Sequence, residues 1–272
     1  MRKFITAVLV VVALLVVADF GAAAVAEHAV ATRLRQRLGL PSDPSVRING
    51  FPFLTQAVAG RYGSIDVRAS GLSVDQLHDL DVEATLHDVD APLSEVISGN
   101  LQSVRVERVE GRVRVKDSDL GRAIGIDDLR IQQPSEQEIK ELSLPGASAP
   151  DHGPDNGPDN GVPSDRAPIR LVATINFAGQ PTEVIGLGVI ELTGGVLRIT
   201  TRDVRLSRDG GAEVGLPSGI RQTVLKTLST DVKPGGLPFA VTPTKVWVQT
   251  GSVVVAGTAT NVILGQTGSG VR

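Results

Sequence analysis

Residues 62–70 read YGSIDVRAS, and this stretch decides the fold because apolar and polar side chains alternate along it. In an extended chain Ile65 and Val67 share one face, whereas Asp66 and Arg68 share the other. The pattern predicts a strand with one buried face. The same alternation occurs at residues 45–49, 81–90, 103–109, 111–116, 169–178, 182–192, 195–207, 245–250 and 252–259.

Helical patterns interrupt the strands, so the predicted fold class is α+β with antiparallel pairing. Apolar residues recur with helical spacing at residues 27–38 and 218–229, and residues 92–98 and 117–124 are predicted to be short helices. Aromatic residues make up only 3% of the chain, so the core must be aliphatic. Cysteine is absent, and therefore no disulfide bond holds the fold.

The N-terminus has the pattern of an export signal. Arg2 and Lys3 precede an apolar run, residues 4–18, and the small residues Ala24-Val25-Ala26 follow. Residues 1–26 are predicted to be a signal peptide or an uncleaved membrane anchor, since residues 4–26 would form a helix of about 34 Å, enough to cross about 30 Å of hydrocarbon. The basic end stays in the cytoplasm, which places the rest in the periplasmic space or cell envelope.

The exported part, residues 27–272, is predicted to be one domain with an insert. Residues at about 134–168 hold seven of the 16 prolines, together with a repeated Gly-Pro-Asp-Asn segment. Such a composition is typical of a disordered, solvated insert. Its acidic residues do not follow the spacing of a calcium-binding loop.

The sequence offers little sign of catalysis. A net charge of −3 without interleaved basic and aromatic residues argues against nucleic acid as a partner. His78 and His87 are each followed by two aspartates within three residues, which favours an alternative function as an envelope carbohydrate-active enzyme or accessory protein. No hydrolase, zinc-protease or phosphate-loop motif occurs, so no catalytic residue, metal or cofactor is predicted.

Apolar residues occur where a water-exposed sheet would carry polar ones. Residues 184–190 and 253–256 are apolar on both faces, so the second face must meet a helix or something other than water. Rings also lie beside prolines in two loops, where they either fill the core or contact lipid. The candidate lipid contacts are Phe51, Phe53, Leu54, Leu237, Phe239 and Val254.

Several runs resemble the LmeA-like phospholipid-binding proteins of actinobacteria. The runs are RINGFPFLTQ at residues 47–56, GRYGSIDV at residues 60–67, and GLPF at residues 236–239 with the closing hairpin through Gly257. The resemblance spans nearly the whole chain after the leader, with residues 134–168 as a variable insertion. It implies a fold like that of tubular lipid-binding proteins, a long curved antiparallel sheet wrapped on a helix with an apolar groove.

The resemblance also implies a function. It indicates a non-enzymatic, membrane-associated protein that binds phospholipid, of the phosphatidylinositol type, at the outer face of the cytoplasmic membrane. It connects the chain to maturation of the mannan chain of lipomannan and lipoarabinomannan, with an envelope mannosyltransferase as a candidate partner. Arg47 and Arg61, which flank the Phe-Pro-Phe run, are the candidate headgroup residues.

Overall fold

The computed structural model describes residues 1–74, 76–92, 94–95, 104–142, 165–177, 180–193, 196–207, 214–216, 218–232 and 242–263. The helices described are α1 Arg2–Leu38, α2 Phe53–Ala59, α3 Asp117–Ile124, α4 Glu136–Glu141 and α5 Ser218–Thr227. The strands are β1 Ser45–Asn49, β2 Arg61–Val74, β3 Leu77–Asp90, β4 Arg105–Lys116, β5 Arg130–Gln132, β6 Arg166–Phe177, β7 Gln180–Thr193, β8 Val196–Ser207, β9 Val214–Gly215, β10 Thr230–Val232, β11 Thr242–Gln249 and β12 Ser252–Ile263.

The described strands form antiparallel sheets, as the alternation at residues 62–70 predicts. The first sheet has the order β1-β2-β3-β4-β12-β11, and the second has the order β10-β8-β7-β6-β5, with β9 also paired to β8. In the first sheet Ile65 pairs with Ile48 on one side and Leu86 on the other. The predicted α+β class with a long antiparallel sheet is therefore confirmed.

One face of the first sheet is buried along its length by different partners. At one end Leu80, Val115 and Val253 pack against the second sheet through Ile169 and Ile190. Each fully buried aliphatic side chain contributes about 1.5–3 kcal/mol to folding. At the other end the sheet packs against α1 and α2 through Tyr62, Leu86, Val89, Val106, Phe53 and Ala26.

The predicted insert overlaps regular structure at both of its ends. Ser135 caps α4 in a capping box with Glu138, and β6 begins at Arg166. The Glu138 carboxylate is also paired with Arg170 of β6. Residues 143–164 lie outside the described residues, so a disordered insert there remains a prediction.

The doubly apolar strand is covered on both faces. Residues 184–190 of β7 are all buried. Val184 and Ile190 belong to the core between the sheets, whereas Ile185 and Leu187 pack with Leu142 at the end of α4. Lipid is not required to explain this strand.

The predicted apolar groove is not seen in the described part of the chain. A cleft of about 490 Å³ lies beside α4 and is lined by polar groups, including Gln133, Glu138 and Arg170. Arg170 is paired with Glu138, and Arg205 with Glu141, so both cationic groups are neutralised. Such a lining does not suit acyl chains.

Candidate functional site

Helix α1 has an exposed half and a packed half. Its first part, residues 2–18, is almost entirely exposed although it is apolar, and α1 is long and apolar enough to cross a membrane. From Asp19 onward one side of the helix packs against β1 and α2. An exposed apolar segment of this length is unfavourable in water, so the first half of α1 is suited to a bilayer.

Asp19 joins α1 to α2. Its side chain is only 4% exposed, and its two carboxylate oxygens accept hydrogen bonds from the backbone N–H groups of Phe53 and Leu54, each at 2.8 Å. These N–H groups begin α2 and have no partner within the helix. The carboxylate also interacts favourably with the positive end of the helix dipole. Asp19 therefore caps α2 from another part of the chain.

The Phe-Pro-Phe loop, residues 50–54, points its two rings in opposite directions. Phe51 is 61% exposed and stacks on Phe20 of α1, with ring centroids 5.9 Å apart. Phe53 is 3% exposed and stacks on Tyr62 inside the core at 6.4 Å. The intervening Phe51–Pro52 peptide bond is cis. One ring thus anchors the loop, and the other is presented at the surface.

Gln56 and Gly50 hold the base of this loop. The Gln56 side chain donates to the carbonyl of Asn49 at 3.4 Å and accepts from the N–H of Gly63 at 3.2 Å. Gly50 has a φ of 104°, and a Cβ there would lie 2.7 Å from Gln56 Nε2. The positive φ favours glycine, and a side chain there would also displace the Gln56 amide from its hydrogen bonds.

Asp66 ties the residue before the loop to the first sheet. Its carboxylate accepts hydrogen bonds from the Asn49 amide and the Thr85 hydroxyl, each at 2.8 Å. The Asn49 hydrogen bond is the main cause that lowers the pKa of Asp66 below its usual value, and Thr85 adds to it. The ionised carboxylate therefore stabilises the base of the loop.

Four exposed apolar side chains lie on α2, on the loop before it and on the adjoining part of α1, and we call them the apolar patch. It consists of Phe20, Phe51, Leu54 and Val58, all exposed. Leu54 and Val58 are four residues apart and so share one side of α2. The patch continues the apolar surface of α1, and surfaces of this kind mark contacts with membranes or other proteins.

The predicted lipid contacts do not all reach this patch. Phe51 and Leu54 are part of it, whereas Phe53 and Val254 are buried. A buried ring in this state cannot contact bulk lipid, and Phe53 serves the core. The predicted contacts Leu237 and Phe239 lie outside the described residues.

The two headgroup candidates are exposed but separate. Arg47 pairs across the sheet with Asp66, within β2, and Arg61 pairs with Asp90 at the start of β2. The two positions are five residue steps apart along β2, which is about 17 Å. The structure therefore does not bring both arginines to one point.

The histidine site of the alternative function needs correction. His78 and His87 both lie in β3, nine residues apart, which corresponds to about 30 Å. The sequence predicts a strand at residues 81–90, which contains His87 but not His78. In the structure β3 begins at Leu77 and contains both histidines. The two histidines cannot share a site, and no metal-binding group of three or more His, Asp or Glu occurs among the described residues.

Sequence reasoning missed the role of Asp19 and the environment of Tyr62. Asp19 is recognisable only as the one charge in an apolar segment. The Tyr62 hydroxyl is buried without a hydrogen-bond partner in the described structure, and burial raises the pKa of Tyr62. Both residues face the same core that holds Phe53.

Together, the fold and the apolar patch define an α+β protein whose helical end is suited to a membrane. Residues 17–258 match the LmeA-like phospholipid-binding family, a range that includes Asp19, the Phe-Pro-Phe loop and most of both sheets. The chain belongs to this family, so it is a lipid-binding protein, and the resemblance seen in the sequence is confirmed. No curated protein and no solved structure matches the chain.

Proposed function

We propose that this protein acts at the outer face of the cytoplasmic membrane and binds phospholipid through the apolar patch. The observation that carries this proposal is the exposure of Phe51 and Leu54 beside the apolar helix α1. Burial of such a side chain among acyl chains contributes about 1.5–3 kcal/mol when it is complete. Membership of a phospholipid-binding family supports phospholipid as the ligand.

The lipid phosphate is held by arginine in this proposal. Arg47 and Arg61 are exposed and flank the run that contains the loop and α2. A guanidinium group binds phosphate oxygens through paired, charge-assisted hydrogen bonds. Because the two positions are about 17 Å apart along β2, one phosphate contacts one of them. The single variants Arg47→Gln and Arg61→Gln identify which one.

The remaining predicted contacts have different roles. Leu237 and Phe239 extend the proposed contact as a sequence-based prediction, since both lie outside the described residues. Val254 is buried in the first sheet and pairs with Arg114, toward the end that packs on the second sheet, so the proposal assigns it to the core and not to the patch. Phe53 likewise supports the loop from the core.

We extend the proposal to the ligand type and the process. The ligand is of the phosphatidylinositol type, and its binding in the periplasmic space supports mannan-chain maturation of lipomannan and lipoarabinomannan. The protein performs no chemical step but presents lipid to an envelope mannosyltransferase. The support is the family resemblance of the RINGFPFLTQ run together with the apolar patch, to which this run contributes Phe51 and Leu54.

Photochemical cross-linking tests the binding site. The full chain is placed in nanodiscs that contain phosphatidylinositol or phosphatidylcholine with a photoreactive acyl chain, and is digested with trypsin after irradiation. We expect adducts on the peptide of residues 48–61, which contains the loop and α2, and more adduct with phosphatidylinositol.

The chain supplies an internal control for this experiment. The peptide of residues 209–221 contains Val214, which is 63% exposed in the second sheet and should stay unlabelled. Equal labelling of the two peptides, or labelling confined to α1, contradicts the proposed site. Equal labelling by the two lipids contradicts the proposed headgroup preference.

A further inference from the structure

We infer that α1 is not removed from this protein and that it serves both as membrane anchor and as part of the domain. The small residues at 22–26 match the pattern of a signal-peptidase cleavage site. In the structure they lie inside one continuous helix, Arg2–Leu38. The inference goes beyond the proposed function, because phospholipid binding does not itself require an anchor.

Cleavage after Ala26 would remove groups on which the Phe-Pro-Phe loop depends. Asp19 supplies both acceptors for the N–H groups that begin α2, and Phe20 supplies the ring that stacks on Phe51. Without them the two donors lose their protein partner, and the ring loses one side of its packing. The released domain would lack a part of its own fold.

Three of the alanines in this stretch, Ala22, Ala23 and Ala26, have a packing role, whereas Ala24 is exposed. Ala26 is 4% exposed, and Ala22 and Ala23 pack against the same core cluster on the face of α1 toward the first sheet. Helix packing continues past the cleavage motif, since the Glu27 carboxylate accepts the N–H of Ile48 at 2.8 Å. Small side chains allow this close approach, so packing accounts for Ala26, the last residue of the motif.

The family match gives independent support. It begins at residue 17, upstream of the cleavage motif, and so takes in Asp19, Phe20 and the alanines. A leader that is discarded has no reason to share the sequence pattern of the domain. This boundary agrees with the structure, in which packing of α1 against the domain begins at about the same residue.

Retention of α1 sets the depth of the loop in the bilayer. The exposed apolar residues 4–18 span about 22 Å as a helix, whereas the hydrocarbon core is about 30 Å thick. The helix therefore needs ~8 Å more to cross the hydrocarbon core, which corresponds to about five further residues of α1. These residues begin at Asp19, which binds the loop. Because Asp19 is buried and hydrogen-bonded, this part of α1 can enter the apolar region. Phe51 and Leu54 then contact the outer leaflet.

The direct test is the intact mass of the full chain, purified through a C-terminal tag from cells that export it. The expected mass includes residues 2–26. A product that begins at Glu27, or at any residue from 20 to 27, overturns the inference. Such a product could still bind phospholipid, so the result is separate from the test of the proposed function.

Spin labelling tests the depth, because the chain has no cysteine of its own. A nitroxide is attached to Phe51→Cys or to the control Val214→Cys, which are equally exposed at 61% and 63%. Oxygen concentrates in the bilayer, whereas a nickel chelate stays in water. In nanodiscs we expect the nitroxide at position 51 to collide with oxygen at least several-fold more often than with the nickel chelate. We expect the reverse at position 214. Equal accessibility at both positions overturns the predicted depth.

The variant Asp19→Leu tests whether Asp19 attaches the loop to α1 or only affects the hydropathy of the helix. Hydropathy alone predicts that this variant inserts at least as well as the parent, since a charge is removed. Our inference predicts that the loop loses its attachment, so the label at Phe51→Cys becomes mobile while the intact mass is unchanged. A label that stays immobile in Asp19→Leu contradicts the role given to Asp19.

Discussion

The amide nitrogen of Phe53 lies 2.8 Å from the carboxylate of Asp19, although 34 residues separate them in sequence. Asp19 belongs to α1, and Phe53 begins α2, so this hydrogen bond couples the membrane-length helix to the Phe-Pro-Phe loop. The position of the apolar patch is thereby fixed relative to α1.

Replacement of Asp19 should destabilise the domain. In Asp19→Ala one buried and one partly buried N–H group lose their carboxylate acceptor, and we expect a loss of about 1–3 kcal/mol, measured by urea unfolding. The control is Asp43→Ala, because Asp43 forms an exposed ion pair with Arg35 at 3.2 Å. Exposed pairs contribute about 0–1 kcal/mol. Equal losses in the two variants contradict the capping role of Asp19.

The two rings of the loop should respond differently to truncation. Phe53→Ala removes a core ring and should cost about 3–5 kcal/mol, whereas Phe51→Ala should change stability by no more than about 0.5 kcal/mol. Thermal unfolding measures this difference. Phe51→Ala should instead reduce cross-linking to phospholipid per folded molecule. A large stability loss in Phe51→Ala would show that this ring serves packing rather than lipid contact.

Acid should weaken the base of the loop through Asp66. Hydrogen bonds, first from Asn49, lower the folded-state pKa of Asp66 below the usual 3.8. Its stabilisation is therefore present above about pH 4 and is lost as the pH falls through the lowered value. The difference in melting temperature between the parent and Asp66→Asn should be constant near neutral pH and shrink below about pH 4. A difference that persists at pH 2 contradicts this assignment.

Glycine at position 50 should be required, whereas glycine at position 63 should not. Gly50→Ala places a Cβ 2.7 Å from Gln56 Nε2 at a φ of 104°, and we expect a loss of about 1–3 kcal/mol. Gly63→Ala is the matched control, because a Cβ there meets nothing within 4 Å. Denaturant unfolding compares the two. Similar stabilities would show that the loop relaxes to accept a side chain.

The strands could be predicted from the sequence because their signal is local. Alternation within residues 62–70 predicts the strand and the burial of Ala69, and Ile65 pairs with Leu86 through apolar faces. Tyr62 is buried although it is out of step with Ile65 and Val67. Helix α1 is predictable for the same reason, because a long apolar run after basic residues is typical of a membrane-spanning or signal helix. The contact between Asp19 and Phe53 has no local signal, because it joins distant segments.

Burial of individual loop rings could not be predicted. Phe51 and Phe53 are two residues apart in the same proline-containing run, yet one is exposed and the other is buried. Residues 184–190 present a similar difficulty. Their apolar second face predicts that another segment packs on it, but not which segment. Leu142 provides part of that cover, and it comes from a segment with no apolar pattern of its own.

The central claim is that this protein binds phospholipid at the apolar patch. The most direct measurement is native mass spectrometry of the full chain, purified in mild detergent from its own host, with identification of the retained lipids. We predict bound lipid enriched in the phosphatidylinositol type, and its loss in the double variant Phe51→Ser/Leu54→Ser while the melting temperature changes little. Retained lipid that matches the bulk membrane composition, in both the parent and the variant, would contradict the claim.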